Sequence, residues 1–102
     1  MVVDSALRAL AHPARRAMLR LVLDGEQSSS AIADHLHLSR PATSQHLKML
    51  RDAGLVHVRV DKNQRLYRVD FALLAEVKAQ LDTFWSGRLD TLAQRIAETH
   101  QQ

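Results

Sequence analysis

The chain has 102 residues, with 14 basic and 11 acidic side chains, six histidines and no cysteine. This length fits one domain, residues 1–102, and the lack of cysteine excludes a disulfide framework, a thiolate metal site and a thiol redox switch. No apolar run approaches the roughly 20 residues of a membrane span, and the N-terminus lacks a signal-peptide pattern. We therefore expect a soluble, cytoplasmic protein.

The positive charge is concentrated in one segment. Residues 1–39 carry four basic and four acidic side chains, whereas residues 40–68 carry seven basic and two acidic ones, a net charge of +5. Residues 69–102 carry three basic and five acidic side chains, a net charge of −2. Such a local excess is typical of a face that binds a polyanion such as double-stranded DNA.

Three helices are predicted before this basic segment is reached. A first stretch, residues 4–10, ends before Pro13, because the residue preceding a proline avoids helical angles. Pro13 suits the first turn of a second helix, which Gly25 ends. Ser28 or Ser29 can cap a third, shorter helix.

The most informative stretch is SRPATSQHLKMLR, residues 39–51. Ser39 is a good N-cap, and Pro41 sits in the first turn, where a missing amide N–H costs nothing. Gly54 is placed to end this helix in a left-handed conformation. Helical spacing predicts an inward stripe of Thr43, Leu47 and Leu50.

The outer face of this helix carries side chains that can reach bases and phosphates. We expect Arg40, Ser44 and Gln45 to contact base edges, since Gln pairs well with adenine and Arg with guanine. Ser39 and Lys48 are predicted to contact the DNA backbone. Together with the preceding short helix, residues 28–53 form a helix-turn-helix pattern.

A β-hairpin is predicted at residues 55–69. Alternation in the first half places His57 and Arg59 outward and Val56, Val58 and Val60 inward. Residues 61–64 can turn, and RLYRVD forms the returning strand. A basic hairpin after a recognition helix is the wing of a winged helix, and its predicted phosphate contacts are Arg59, Lys62, Arg65 and Arg68.

Residues 71–98 are predicted to form one long helix, with Gly87 as its only weak point. Its apolar residues fall close to a heptad stripe: Leu74, Val77, Leu81, Phe84, Trp85, Leu89, Leu92 and Ile96. The rest of the domain is too small to cover this stripe, which favours burial by a second copy of the chain. The alternative is that Phe84 and Trp85 cap the core of their own protomer.

The chain resembles the ArsR/SmtB family of bacterial winged-helix repressors over nearly its whole length. The resemblance rests on LRALAHPARRAMLRLV at 7–22, SRPATSQHLKMLRDAGLV at 39–56 and RLYRVD at 65–70. The most specific part is the family's proline, serine and histidine-leucine-lysine pattern, which falls on Pro41, Ser44, His46, Leu47 and Lys48.

The resemblance implies a mainly α fold with a small β-hairpin, a winged helix-turn-helix that dimerises through its terminal helices. Those helices map onto residues 3–10 and 71–98, which adds Leu7 and Leu10 to the predicted dimer interface. The homodimer would bind a short inverted repeat through its two 39–51 helices, and an effector would change its grip on DNA.

The sequence departs from the metal-sensing members of the family. Their cysteines beside the recognition helix are absent, and the third helix carries Ser28, Ser29, Ser30 and Asp34 instead. The last helix offers Asp82, Asp90, Glu98 and His100, but no close pair of histidines on one face. Because zinc needs three or four converging ligands, we expect no metal and no other cofactor, although a His/Asp/Glu site formed across the dimer stays open.

The sequence fits three kinds of function to different degrees. The favoured one is a sequence-specific transcriptional regulator, a homodimeric repressor at an inverted-repeat operator. The alternative is a winged-helix protein-interaction module without an operator, against which the local charge of +5 argues. An enzyme is disfavoured because no Gly-rich phosphate loop, cysteine nucleophile or clustered acid-base pair occurs. The operator, the target genes, the effector and the choice between repression and activation are not encoded in any motif.

Overall fold

A computed structural model describes residues 2–86 and 88–100, with side chains except at 88–90 and 100. Four helices come first: α1 (Val2–Ala9), α2 (Pro13–Leu23), α3 (Ser29–Leu36) and α4 (Arg40–Asp52). A short strand, β1 (Gln27–Ser28), lies between α2 and α3. The chain continues through β2 (Val56–Asp61), β3 (Gln64–Val69), α5 (Phe71–Trp85) and α6 (Arg88–His100).

The predicted helix signals act where the sequence places them. The Ser28 hydroxyl accepts a hydrogen bond from the amide of Ala31, and the Ser39 hydroxyl accepts one from the amide of Ala42. Each bond satisfies an amide in the first helical turn that has no intrahelical partner. The capped starts of α3 and α4 therefore fix the helix-turn-helix.

Helix α4 ends in a Schellman motif around Gly54. Gly54 has φ +82°, its amide donates to the Arg51 carbonyl, and the Leu55 amide donates to the Leu50 carbonyl. These two bonds satisfy carbonyls at the helix end. The motif turns the chain directly from α4 into the wing.

We expect Gly54→Ala to destabilise the fold. A Cβ atom at this position would lie 3.2 Å from Cδ2 of Leu73, and the left-handed conformation costs a non-glycine residue about 1–2 kcal/mol. Urea unfolding should show the loss as a lower midpoint at an unchanged m value. An unchanged midpoint would contradict this account of the α4 terminus.

The core lies between the helices and one face of the sheet. The predicted inward stripe of α4 is confirmed, since Thr43, Leu47 and Leu50 are at most 2% exposed. Burial in an interior that is close-packed holds α4 in one rotational setting, so its opposite face is presented to solvent. The largest fully buried side chains are Met18, Ile32, Leu47, Leu50, Leu55, Val56 and Thr43.

The predicted hairpin is present but belongs to a three-stranded antiparallel sheet of order β1-β3-β2. Strand β1 pairs with β3, Gln27 opposite Tyr67 and Ser28 opposite Leu66. A strand of two residues is too short to show an alternating pattern. The sequence therefore gave no signal for it.

Val60 lies on the predicted inward face of β2, but the expectation that this position is covered is wrong, because the Val60 side chain is 69% exposed. Val56 is buried and Val58 half-buried on the same face of β2. Val60 lies further along, opposite Arg65 and one residue pair from the turn. The inward face of the hairpin therefore becomes solvent-accessible towards its tip.

The prediction of one helix over residues 71–98 is also wrong. Helix α5 ends at Trp85, and Ser86 has ψ 125°, an extended value; Gly87 lies outside the described residues. Sharp breaks in long helices occur at Gly/Ser pairs, and glycine is a weak helix former. A near-heptad pattern extends across both helices, which is why periodicity alone did not reveal the break.

Candidate nucleic-acid interface

The outer face of α4 is the centre of the candidate interface. Arg40, Ser44, Gln45 and Lys48 are all exposed, as predicted from the inward stripe. The Thr43 hydroxyl donates to the Ser39 carbonyl over 2.9 Å on the inner side of the first turn. This polar side chain is thus satisfied internally, while the exposed ones are presented outward by a rigid, capped helix.

The two faces of the wing carry different arginines. Residues directly opposite one another in an antiparallel pair point to the same side of the sheet. Arg65 pairs with Val60 and shares the face of buried Tyr67, which is the face towards α4. Arg59 and Arg68 lie on the opposite face. The wing arginines, which the sequence suggested as one group, therefore point in two directions.

Arg59 is held by an ion pair that the sequence did not reveal. Its Nε and Nη2 atoms donate to the two carboxylate oxygens of Glu26 over 2.9 and 2.7 Å. This hydrogen bond lowers the pKa of Glu26 and raises that of Arg59. Glu26 lies 33 residues earlier and reaches Arg59 only because β1 joins the sheet. Much of the Arg59 charge is therefore compensated within the protomer.

A pocket of about 260 Å³ lies between α3, α4 and β3. Its lining combines hydroxyl and cationic side chains around one aromatic ring: Ser29, Ser44, Lys48, Arg51, Arg65 and Tyr67. Arg51 and Ser29 were not among the predicted DNA contacts. Positions at a helix end and in the first turn of a neighbouring helix become adjacent only through the packing of α3 on α4.

Lys48 is paired within its own helix. Its Nζ atom lies 2.6 Å from Oδ2 of Asp52, and this hydrogen bond lowers the pKa of the Asp52 carboxyl. Both side chains are more than half exposed, 63% and 53%. A surface pair of this kind is weak, so Lys48 can exchange Asp52 for a phosphate.

His46 packs on the inner edge of α4 against the start of α2. Its ring centroid lies 4.5 Å from that of His12, which caps α2 by accepting a hydrogen bond from the Ala14 amide. The Nδ1 atom of His46 is buried without a hydrogen-bond partner among the described residues. Burial, followed by the nearby His12 and Arg15, lowers the pKa of His46.

We expect His46 to make stability depend on pH. Its pKa is lower in the folded than in the unfolded chain, so the stabilisation from keeping it neutral is present above the ordinary value near 6.5 and lost as pH falls. Urea unfolding at pH 7 and pH 5 should show a smaller decrease for His46→Leu than for wild type. The control is His35→Leu, which changes an exposed histidine of α3. Equal decreases of the free energy of unfolding in wild type and His46→Leu would contradict the expectation.

Part of the predicted dimer interface lines an open apolar groove along α5. This groove of about 510 Å³ is lined mainly by aliphatic and aromatic side chains, with one ion pair at its rim: Leu10, Phe71, Leu74, Ala75, Val77, Lys78, Leu81 and Asp82. The Lys78 and Asp82 side chains pair over 2.7 Å. Leu7, at 36% exposed, lies on α1, and Leu10, which directly follows α1, lines the groove.

The C-terminal part of the stripe lies uncovered in the protomer. Phe84 and Trp85 contact each other edge to face at 4.8 Å but are 54% and 44% exposed, so the alternative that they cap their own core is wrong. Leu92 and Ile96 are about half exposed. Val77, in contrast, is 3% exposed within its own protomer and has little area left for a partner. The Leu89 side chain lies outside the described part of the chain.

Two absences concern the described residues only. Among the described side chains, those of residues 2–86 and 91–99, no group of three or more His, Asp or Glu is arranged to hold a metal ion. No helix in this part of the chain is long and apolar enough to cross a membrane.

Residues 12–58 match the family model described as bacterial regulatory protein, arsR family. The HTH-type transcriptional regulator Rv2034 of Mycobacterium tuberculosis is 41% identical over 91% of this chain and 87% of its own length. A probable mercury resistance operon repressor of Streptomyces lividans is 37% identical over 69% of this chain and 56% of its own. Residues 12–58, which match the family model, include α2, α3, α4 and the start of β2.

Solved structures agree with this assignment. The crystal structure of a possible transcriptional regulator for arsenical resistance superposes with a TM-score of 0.80 at 42% identity, covering 89% of this chain and 95% of that one. The homodimeric winged helix-turn-helix DNA-binding domain Mb0332 of Mycobacterium bovis gives a TM-score of 0.66 at 28% identity, covering 98% and 82%. The chain is a winged helix-turn-helix protein and belongs to the ArsR family of bacterial regulatory proteins.

Proposed function

We propose that the protein is a homodimeric transcriptional repressor that binds an inverted-repeat operator. The observation that carries the proposal is the exposed face of α4, on which Arg40, Ser44 and Gln45 stand clear of the core. A helix with short polar and amide side chains on its outer face fits the major groove of B-DNA and can distinguish base pairs there.

The dimer places two such helices on one duplex. In helix-turn-helix dimers the recognition helices enter successive major grooves about 34–36 Å apart. The exposed apolar surface of α1, α5 and α6 supports this assembly, because monomers rarely leave large apolar patches uncovered. The Mycobacterium bovis neighbour is a homodimer, which supports the same arrangement.

Direct readout is assigned to the middle of α4. Gln45 can donate to and accept from adenine, Arg40 can bind guanine with two hydrogen bonds, and Ser44 can contact either base. These contacts give sequence preference, whereas the cations fix position on the backbone. Ser39, Lys48, Lys62 and Arg65 remain proposed backbone contacts; Arg68 keeps this assignment only if the outer face of the wing reaches DNA.

Repression follows from occupancy, since a dimer that covers an operator excludes other proteins from it. The Streptomyces lividans relative is named as an operon repressor, which supports repression over activation.

The test is selection of a randomised duplex pool by the purified protein, followed by fluorescence anisotropy at two salt concentrations. The proposal predicts an enriched two-fold symmetric sequence whose affinity falls steeply with salt. Parallel selections with zinc and with chelator should enrich the same sequence to the same extent. Dependence on zinc would assign a metal-responsive regulator.

A protein-interaction module is the second candidate, because a fold does not determine a function. It predicts weak DNA binding with no preference among sequences. The same selection therefore decides between the two, since no enriched sequence would emerge and the repressor proposal would be overturned.

A further inference from the structure

We infer that the pocket between α3, α4 and β3 is a clamp for one backbone phosphate of DNA. We call it the phosphate clamp, formed by Ser29, Ser44, Lys48, Arg51 and Arg65. The inference rests on the proposed DNA-binding function and adds to it a defined contact that joins the recognition helix to the wing.

Two arginines from different elements converge on this pocket. Arg51 comes from the last turn of α4 and Arg65 from β3, yet both line one pocket of about 260 Å³. Neither has an ion-pair partner within the part of the chain that the structure describes, whereas Arg59 on the other wing face is paired with Glu26. Two guanidinium groups without a salt-bridge partner beside one concavity favour a bound anion.

Neutral donors complete the lining. The structure assigns no hydrogen-bond partner among the described residues to the hydroxyl of Ser29 or of Ser44. Ser29 is also the first residue of α3, where the helix dipole presents partial positive charge. Hydroxyl and guanidinium donors around one pocket suit a phosphate oxygen better than a base edge, since phosphate oxygens only accept hydrogen bonds.

Position identifies the source of the phosphate. Ser44 lies on the outer face of α4 and also lines the clamp, so the pocket adjoins the surface proposed to enter the major groove. A strand whose bases contact Gln45 would run past this pocket, with the Ser44 hydroxyl then donating to a phosphate oxygen instead of the base edge proposed above. Arg65 points towards α4 and can share that phosphate with Arg51, whereas Arg68 faces away from it.

The clamp would fix the register of the protein on DNA. Backbone contacts position the protein without carrying sequence information themselves. A contact that uses both α4 and β3 restrains the helix and the wing against the same strand. Loss of either arginine should therefore weaken binding to all sequences alike.

The test combines protein variants with chemically altered DNA. Wild type, Arg51→Gln and Arg65→Gln are measured by anisotropy on the selected operator, in which each phosphate in turn is replaced by a neutral methylphosphonate. For wild type, one position in each half-site should weaken binding markedly. In both variants the same replacement should have little further effect, while replacements elsewhere retain theirs, because the arginine and that phosphate act as one pair.

Salt dependence gives an independent readout. Because the dimer carries two clamps, each variant loses two phosphate contacts, which should reduce the slope of log affinity against log salt by about 1.8 and make the drop between 50 and 200 mM salt about 12-fold smaller. Arg20→Gln, which removes the same charge from the exposed side of α2, is the matched control. Thermal melting checks that each variant is folded.

Three results would overturn the clamp. Fully additive effects of the arginine variants and every methylphosphonate would do so, as would coupling of that phosphate to Arg51 but not to Arg65. Saturable binding of inorganic phosphate by wild type at submillimolar concentration without DNA would assign the pocket to a free anion. If wild type selects no operator, the proposed function itself has failed, a result recognisable before any variant is made.

Discussion

Replacing Gln45 by alanine should change which DNA sequence the protein prefers. Gln45 is exposed on the central turn of α4, and its amide is the side chain best suited to recognise adenine. Loss of a two-hydrogen-bond contact should cost about 1–3 kcal/mol in each half-site of the preferred operator, or roughly 5- to 150-fold in affinity per half-site. For operators altered at the contacted base pair, the affinity of Gln45→Ala should differ far less from that of wild type.

Lys48→Gln, one turn along the same helix, is the variant that separates base recognition from binding to the DNA backbone. It should weaken all sequences alike and reduce the salt slope, because Lys48 is assigned to the backbone. Selection with each variant from one duplex pool provides the measurement. If Gln45→Ala weakens every sequence equally, the assignment of Gln45 to base readout is wrong.

Placing an aspartate at Leu81 should separate the dimer and remove operator binding. Leu81 lines the apolar groove and is 38% exposed, so the protomer should fold while a desolvated carboxylate opposes association. Two linked recognition helices bind about 10²- to 10⁴-fold more tightly than one. We expect a loss of that size for Leu81→Asp.

The control is Gln80→Asp, which adds the same charge on the neighbouring position of α5 outside the groove lining. Analytical ultracentrifugation gives the mass, and anisotropy gives the operator affinity. A Leu81→Asp protein that stays dimeric would contradict the proposed interface. A monomer with wild-type affinity would contradict the need for two recognition helices.

Much of the fold was predictable because local signals and burial agreed. Ser28, Ser39 and Gly54 mark helix ends through their own backbone and side-chain chemistry, and the stripe of Thr43, Leu47 and Leu50 orients α4. The exposed face of α4 that is proposed to contact bases lies on the side opposite this stripe. Consistency among caps, periodicity and turns is what allows a sequence to specify a structure.

The features that escaped prediction depend on contacts between distant segments or on a local break. Strand β1 is too short to show a pattern, and the pairing of Glu26 with Arg59 requires that strand to join the sheet. The separation of Arg65 from Arg59 and Arg68 was implicit in strand alternation, but its meaning required knowing which face meets α4. Ser86 interrupts a helix whose apolar pattern continues beyond it.

The central claim is that two α4 helices of one dimer read two half-sites in successive major grooves. Its most direct test is a series of operators whose half-sites are separated by different numbers of base pairs, with affinity measured by anisotropy. The account predicts a sharp optimum with half-site centres about 10–10.5 base pairs apart, and a decrease to single half-site affinity when five base pairs are inserted. Affinity that does not change with spacing would contradict it.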